Sequence, residues 1–190
     1  MRVYRAAVMG SGGVGKSAVT IRFINGEYLE MYDPTNRRQF EVDGTPCLLE
    51  ILDTAGIDQY LSLNDLFIRD SDGFILVFSL IQKETINEVR GVRESIRRIK
   101  NPVHAQTIPM VIIGRDKADL VDEREVAPQT AEALAIESGC PYFETSARDN
   151  IGILPAFAEI VRQIRQHGVR KRHMSRHSTT NHGSRKCVIL

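Results

Sequence analysis

The residues best suited to chemistry lie near the start of the chain, from Gly10 to Ser17, and read G-S-G-G-V-G-K-S. Their order fits G-x-x-x-x-G-K-[ST], in which glycines let several backbone N–H groups turn towards one phosphate. Lys16 would add a positive charge for the outer phosphates, and the Ser17 hydroxyl is an oxygen ligand of the kind that Mg2+ prefers. The stretch predicts a phosphate site; the alternative is a chance glycine-rich turn.

The segments on either side of this loop have the character that the pattern requires. Residues 3–9 (V-Y-R-A-A-V-M) favour a buried strand, and residues 18–24 (A-V-T-I-R-F-I) favour the start of a helix. A strand, a glycine loop and a helix N-terminus in this order make an anion site, because the N–H groups and the helix dipole both attract negative charge.

Apolar runs and helical periodicity alternate along the rest of the chain. Strands are predicted at residues 39–42, 47–52, 73–80, 109–114 and 141–145, and helices at 83–100, 128–138 and 152–166. Residues 25–38 favour a loop, Asp43-Gly44 favours a hairpin, and residues 57–70 favour a loop with a short helix.

This alternation predicts an α/β fold of three layers, with a mostly parallel six-stranded sheet covered by helices on both faces. Together with the glycine motif, this arrangement resembles the P-loop NTPase fold. The hairpin adds one antiparallel edge strand. Ligands of such sheets bind at the carboxyl ends of the strands. The glycine loop, Asp53, residues 116–119 and Ser146 all follow predicted strands, so we expect them to converge on one ligand.

Composition places the chain among ordinary globular proteins. It has 190 residues, of which 42% are hydrophobic and 26% charged, and its apolar runs are shorter than a membrane helix requires. Three cysteines are too few for a disulfide framework, which favours a reducing, intracellular setting. We expect a monomer that does not bind nucleic acid.

The net charge of +1 conceals an uneven distribution. After Glu159 the chain has eight Lys/Arg and no acid, whereas residues 1–159 hold 17 bases and 24 acids, a net charge of −7. The sequence predicts one domain over residues 1–167 and a flexible basic tail over residues 168–190, suited to an anionic membrane surface. Cys187-Val188-Ile189-Leu190 fits C-a-a-X, and the final Leu favours geranylgeranylation.

Several motifs together resemble those of the Ras-like small GTPases, and most closely the Rap-type branch. They are Y-D-P-T at 32–35, L-L-E-I-L-D-T-A-G at 48–56, K-A-D-L at 117–120 and E-T-S-A at 144–147, beside the glycine loop. Ile57, directly after D-T-A-G, is similar to the fungal bud-site-selection relatives of Rap. The resemblance runs from Met1 to about Gln166 and includes the last four residues.

The resemblance implies a membrane-anchored switch that binds GTP or GDP with Mg2+, hydrolyses GTP, and meets an activating protein, an exchange factor and an effector. The implied nucleotide-binding residues are Gly12, Gly13, Val14, Gly15, Lys16, Ser17, Ala18, Tyr28, Thr35, Gly56, Asp116, Lys117, Asp119, Ser146, Ala147 and Arg148. The implied metal ligands are Ser17, Thr35 and Asp53, and the implied catalytic positions are Lys16, Thr35, Gly56 and Ile57. Asp119 would accept two N–H bonds that guanine offers and adenine lacks.

Two departures from the family pattern concern the segments that change with the nucleotide. The family usually has Gln, which orients the attacking water, at the position of Ile57, so we expect very slow intrinsic hydrolysis. The interval from Thr35 to Asp53 is about four residues short, and the acidic effector segment is replaced by Arg37 and Arg38. We expect weak binding to the basic Ras-binding domains; an error in the gene model is the alternative explanation.

Two further departures concern the base. The family has Asn at the position of Asp116, where its amide ties the glycine loop to the strand and donates to guanine; here an extra Arg115 precedes Asp116. An ionised Asp cannot donate, so we expect weaker nucleotide binding. Arg148 replaces the usual Lys.

Two other functions are compatible with these residues. A scaffold that binds nucleotide weakly or without hydrolysis would explain Ile57, Asp116 and the short segment. An ATP-using P-loop kinase is less well supported, because the sequence shows no second substrate site or lid.

Overall fold

The structure, a computed structural model, describes residues 1–26, 36–53, 61–100, 108–116 and 123–178. Its strands are β1 (Val3–Met9), β2 (Arg37–Val42), β3 (Thr45–Asp53), β4 (Gly73–Ser79), β5 (Met110–Asp116) and β6 (Tyr142–Ser146). Its helices are α1 (Lys16–Asn25), α2 (Leu61–Asp70), α3 (Thr85–Lys100), α4 (Pro128–Ser138) and α5 (Ile153–Ser178).

The six strands form one sheet in the order β2-β3-β1-β4-β5-β6. Strands β2 and β3 pair antiparallel at one edge, and the other neighbours are parallel. The predicted fold class is confirmed. The segment after β1 leads to β2 and β3 on one side of β1, and the following strand, β4, pairs with β1 on its other side. This reversal of direction is a topological switch point, and sheets of this kind bind ligands there, at the carboxyl ends of the strands.

Strand side chains alternate between two hydrophobic clusters, one on each face of the sheet. On β5, Val111 and Ile113 belong to the cluster that contains side chains of α1 and α5, whereas Met110 and Ile112 belong to the one with α2, α3 and α4. Every residue of β4 is buried. The helices therefore cover both faces, and the layers hold the strand ends in fixed positions.

The β2–β3 hairpin is closed by the predicted Asp43-Gly44 turn, in which both residues have positive φ (52° and 70°). Helix α5 holds this hairpin: Arg162 Nη2 lies 2.8 Å from Asp43 Oδ1, and Arg165 donates to the carbonyls of Val42 and Thr45. The hydrogen bond from Arg162 lowers the pKa of Asp43 below its ordinary value. These contacts fix the edge of the sheet against the last helix.

Several boundaries differ from the sequence prediction, most of them by one or two residues. The start of β2 and the end of α5 have clear physical reasons. Strand β2 begins at Arg37, inside the predicted loop, because Arg37 pairs with Glu50 across the hairpin and Asn36 accepts a hydrogen bond from the Ile51 N–H (2.9 Å). Helix α5 continues to Ser178, so residues 168–178 of the predicted tail are helical. The apolar periodicity stops near Gln166, but Lys and Arg are good helix formers and no proline interrupts them.

The basic pair on β2 is largely engaged within the domain. Glu50 accepts hydrogen bonds from Arg37 (2.9 Å) and Arg5 (3.2 Å), which together lower its pKa, Arg37 more strongly. Arg38 donates to the Phe23 carbonyl, and its guanidinium lies over the Phe23 ring. Arg37 and Arg38 therefore take part in internal contacts as well as contributing positive charge.

No helix in the described part of the chain has the length and apolar character needed to cross a membrane.

Candidate nucleotide-binding site

The glycine loop joins β1 to α1 through backbone conformations that require glycine. Gly10, Gly13 and Gly15 have φ values of 147°, 74° and 95°, in the region that other residues rarely adopt. Gly12 and Gly13 are exposed, whereas Val14 is buried in the cluster shared with α1 and α5. The loop is therefore anchored by one apolar side chain, while Gly12 and Gly13 remain accessible to a ligand.

The Lys16 ammonium lies beneath this loop. Lys16 is 4% exposed, and its Nζ donates to the carbonyls of Gly10 and Ser11, both at 2.7 Å. It stands at the first residue of α1, whose first turn contains no acid. A buried cation at the positive end of a helix dipole favours an anionic ligand, as the sequence predicts.

Helix α3 also contacts the loop. The Ser11 hydroxyl donates to the Glu88 carboxylate in the first turn of α3. Residue types alone do not reveal this pair, because 77 positions separate its members.

Two residues whose side-chain oxygens can bind a divalent cation stand next to the glycine loop. Ser17 follows Lys16 in the first turn of α1, and Ala18 is the next residue. Asp53 ends β3 in register with Val8, which lies in β1 just before the loop. A hydroxyl and a carboxylate suit Mg2+, which takes oxygen ligands and retains water. These residues fit the predicted metal, and Thr35, the third predicted ligand, lies outside the described residues.

Arg115 makes the contact with the glycine loop that the resemblance assigned to position 116. Along β5 the side chains of Val111 and Ile113 face α1, and Arg115 follows them at the same period of two. Its side chain lies against Gly15, where an added Cβ would overlap its Cδ, Cζ and Nη1. Asp116 is the next residue and pairs through its backbone with Ser146, and it is Arg115 that brings a long cationic side chain to the loop.

The loop after β6 is closed by its own hydrogen bonds. Ser146 and Ile151 exchange backbone hydrogen bonds (3.1 and 3.0 Å), and the Ser146 Oγ bonds the Asp149 carboxylate (2.8 Å) and N–H (3.1 Å). Ala147 is 8% exposed and Arg148 is exposed. The predicted base-binding residues 146–148 therefore occupy a structured turn, here called the base loop (residues 146–151).

Strand β6 enters the base loop beside an ion pair. Arg124 Nη2 lies 2.6 Å from Glu144 Oε1, and this hydrogen bond keeps the pKa of Glu144 below its ordinary value. Burial, with a smaller contribution from Glu144, raises the pKa of Tyr142. Near neutral pH Glu144 therefore stays ionised and Tyr142 stays protonated, so the contacts of both side chains persist there.

The structure brings together the glycine loop, Asp53, the end of β5 and the base loop at one edge of the sheet, because β3, β1, β4, β5 and β6 are neighbours and parallel. The remaining predicted positions lie outside the described residues: Tyr28, Thr35, Gly56, Ile57, Lys117, Asp119 and Cys187. Arg115 and Glu88 were absent from the predicted set. Counting alternate residues along β5 would have identified Arg115, whereas Glu88 depends on a tertiary contact.

Residues 5–166 match the sequence model of the Ras family. The match covers the glycine loop, β1 from Arg5 onwards, strands β2 to β6 and the base loop.

A pair of glycine substitutions tests the contact between Arg115 and the loop. Gly13→Ala should lower the free energy of unfolding by about 1 kcal/mol, because φ is positive but nothing lies within 4 Å. Gly15→Ala should cost about 2–4 kcal/mol, because it adds overlap with Arg115 to the same backbone strain. Urea denaturation without nucleotide measures both.

Adding Arg115→Ala to the Gly15→Ala variant should recover the excess cost. Equal losses for the two alanine variants would contradict the contact.

Proposed function

Since the chain belongs to the Ras family of GTP-binding small GTPases, we propose that it is a membrane-anchored guanine-nucleotide switch that hydrolyses GTP slowly. The observation that supports it best is the buried Lys16 ammonium within a glycine loop, at the same sheet edge as the base loop. The glycine loop suits phosphates and the base loop suits a base, and a nucleoside diphosphate or triphosphate requires both.

The chain's own groups would divide the work at this edge. Lys16 would exchange its contacts with loop carbonyls for the outer phosphates, and Ser17 and Asp53 would hold Mg2+ together with Thr35. The metal would supply positive charge against the phosphates. Asp119 and the Ala147 N–H would recognise guanine.

Hydrolysis is phosphoryl transfer to water, in which positioning and electrostatics supply most of the rate. Ile57 cannot hydrogen-bond a water, so the chain would hydrolyse GTP slowly and rely on an activating partner. A switch uses its nucleotide once per signal, so slow turnover is compatible with this role. An exchange factor would reload it, as is usual for the family.

The effector would differ from those of the Rap-type branch, to which we assign the chain by its motifs. Arg37 and Arg38 stand where an acidic effector segment is usual, and Glu50 and the Phe23 carbonyl engage them. A basic partner domain would therefore meet no acidic strand on β2. The effector itself is not identified by these residues.

A nucleotide-binding scaffold is the second candidate, and one observation favours it. The Arg115 side chain covers Gly15 at the phosphate loop, where the family has a short amide. Reduced nucleotide affinity would leave a membrane-tethered interaction module. The nucleotide that co-purifies with the chain separates the two: GDP supports the switch, and GTP or none supports the scaffold.

Isothermal titration calorimetry with Mg2+ tests nucleotide choice. The nucleotide-stripped chain should bind GDP and GTP more tightly than ATP, because Asp119 would be left unpaired by adenine, at a cost of about 1–3 kcal/mol. Lys16→Ala should weaken binding at least about tenfold, and Lys83→Ala, at an exposed position, should not. No preference for guanine would reject the proposed function.

The hydrolysis rate is tested by Ile57→Gln. In single-turnover assays the wild-type chain should be slow, and Ile57→Gln should be at least about tenfold faster, because the amide orients water. Ile136→Gln on α4, at an 82% exposed position, is the matched control and should leave the rate unchanged. A wild-type rate near that of Ras proteins with Gln would contradict the assignment.

Membrane attachment is tested by Cys187→Ser. The variant should move from the membrane fraction to the soluble fraction, because one lipid plus a basic segment is needed for stable anchoring. Replacing Arg185 and Lys186 by Ala should weaken attachment by about 1 kcal/mol per charge. Membrane binding that survives Cys187→Ser would reject the anchor.

A further inference from the structure

Arg22 connects the helix that follows the glycine loop to the base loop. It lies on α1, six positions after Lys16, so its Cα is about 9 Å further along the helix axis. Its Nε donates to the Ala147 carbonyl and its Nη2 donates to the Arg148 carbonyl at 2.9 Å. One guanidinium therefore binds two successive carbonyls of the base loop.

The planarity of this group makes the contact directional. A guanidinium presents its donors in a fixed fork, so it fixes the orientation of two acceptors as well as their distance. Donors that carry charge also form stronger hydrogen bonds than neutral ones. The carbonyls of residues 147 and 148 thus have a defined direction, and the intervening peptide cannot rotate without breaking a bond.

The other bonds of the base loop act at different places. The Ser146–Ile151 pair closes its ends, and Ser146 binds Asp149 across its interior. Neither restrains the Ala147 and Arg148 carbonyls, which Arg22 holds from outside. The base loop is consequently positioned from two directions, by its own turn and by α1.

The packing of α1 keeps Arg22 in place. Phe23, the next residue, stacks on Phe157 of α5 with ring centroids 3.9 Å apart and an angle of 8° between the ring planes. Phe40 of β2 meets the Phe23 ring edge-on at 5.2 Å, and Phe23 and Phe157 are fully buried. A helix locked this way transmits a displacement of its first turn to Arg22 rather than absorbing it.

We propose that Arg22 is a positioning residue of the nucleotide site, which couples the phosphate-binding end of α1 to the base loop and so sets the selectivity for guanine. The inference rests on the proposed function, because it concerns the base end of that same site. Phosphates held at Lys16 fix the start of α1, and Arg22 fixes the base loop relative to it. The distance between the Ala147 backbone and the glycine loop is then constant. A guanine nucleotide spans this distance, whereas inorganic phosphates do not.

Three ligands measured by calorimetry with Mg2+ on the full chain separate this role from a general structural one. Arg22→Ala should weaken GDP binding about tenfold, the loss of roughly one charge-assisted hydrogen bond. It should change the affinity for inorganic pyrophosphate and for ADP by less than about twofold. The ratio between GDP and ADP affinity should therefore fall about tenfold.

Two further variants serve as controls. Arg22→Gln keeps one donor group that can reach one carbonyl, so its loss of GDP affinity should lie between those of wild type and Arg22→Ala. Arg90→Ala removes an exposed ion pair with Glu137 between α3 and α4 and should leave all three affinities unchanged. Thermal melting without ligand shows that each variant is folded.

The outcomes distinguish this role from the proposed function. A wild-type chain that binds GDP no better than ADP rejects the proposed function and the role of Arg22 with it. A selective wild type whose selectivity survives in Arg22→Ala rejects the role of Arg22 alone. An equal loss of GDP and pyrophosphate affinity also rejects it, because that pattern reports damage to the phosphate loop.

Discussion

The burial of a single ammonium group constrains the whole ligand edge of this protein. Lys16 is 4% exposed, and a charge so enclosed requires acceptors close by. The carbonyls of Gly10 and Ser11 provide them, and the loop can bring both over Nζ because Gly10, Gly13 and Gly15 adopt positive φ. The same glycines leave N–H groups for an anion, so the loop that accommodates the cation also forms the cradle for phosphate.

The sheet order determines what can meet that cradle. Strand β1 lies between β3 and β4, which brings Asp53 to one side of the loop, in register with Val8. On the other side, β4 separates β1 from β5, and Arg115 still reaches Gly15 because an arginine side chain is long. The gap occupied by β4 is therefore bridged at the glycine loop by a long cationic side chain.

Much of the fold could be predicted from the sequence. Strand β1 is mostly apolar and β4 is a buried apolar run, the glycine loop matches a spaced motif, and Asp43-Gly44 favours one kind of hairpin turn. The sequence analysis predicts the contact with the glycine loop at Asp116 rather than at Arg115. That prediction aligns the family motif on Lys117 and Asp119 and does not use the two-residue alternation of side chains along β5. Arg22 and Glu88 could not be found, since their partners are distant in sequence and no pattern encodes them.

Regions without an apolar face are the hardest to delimit. The end of α5 was placed at Gln166, where periodic apolar residues stop, yet the helix continues to Ser178. Periodicity reports the burial of a face, whereas a helix can continue on backbone hydrogen bonds and favourable propensity once it has begun. The same limitation explains the early start of β2, because two successive arginines without an apolar neighbour favour a loop in the sequence.

The length of α5 gives the molecule a mechanical property. Its 26 residues form a rod about 39 Å long that starts beside the base loop and is packed against the sheet along its first half. Because residues 153–164 pack into the core, they fix the direction of the helix axis. The helix is therefore a stiff spacer that sets Ser178 about 38 Å along that axis from Ile153.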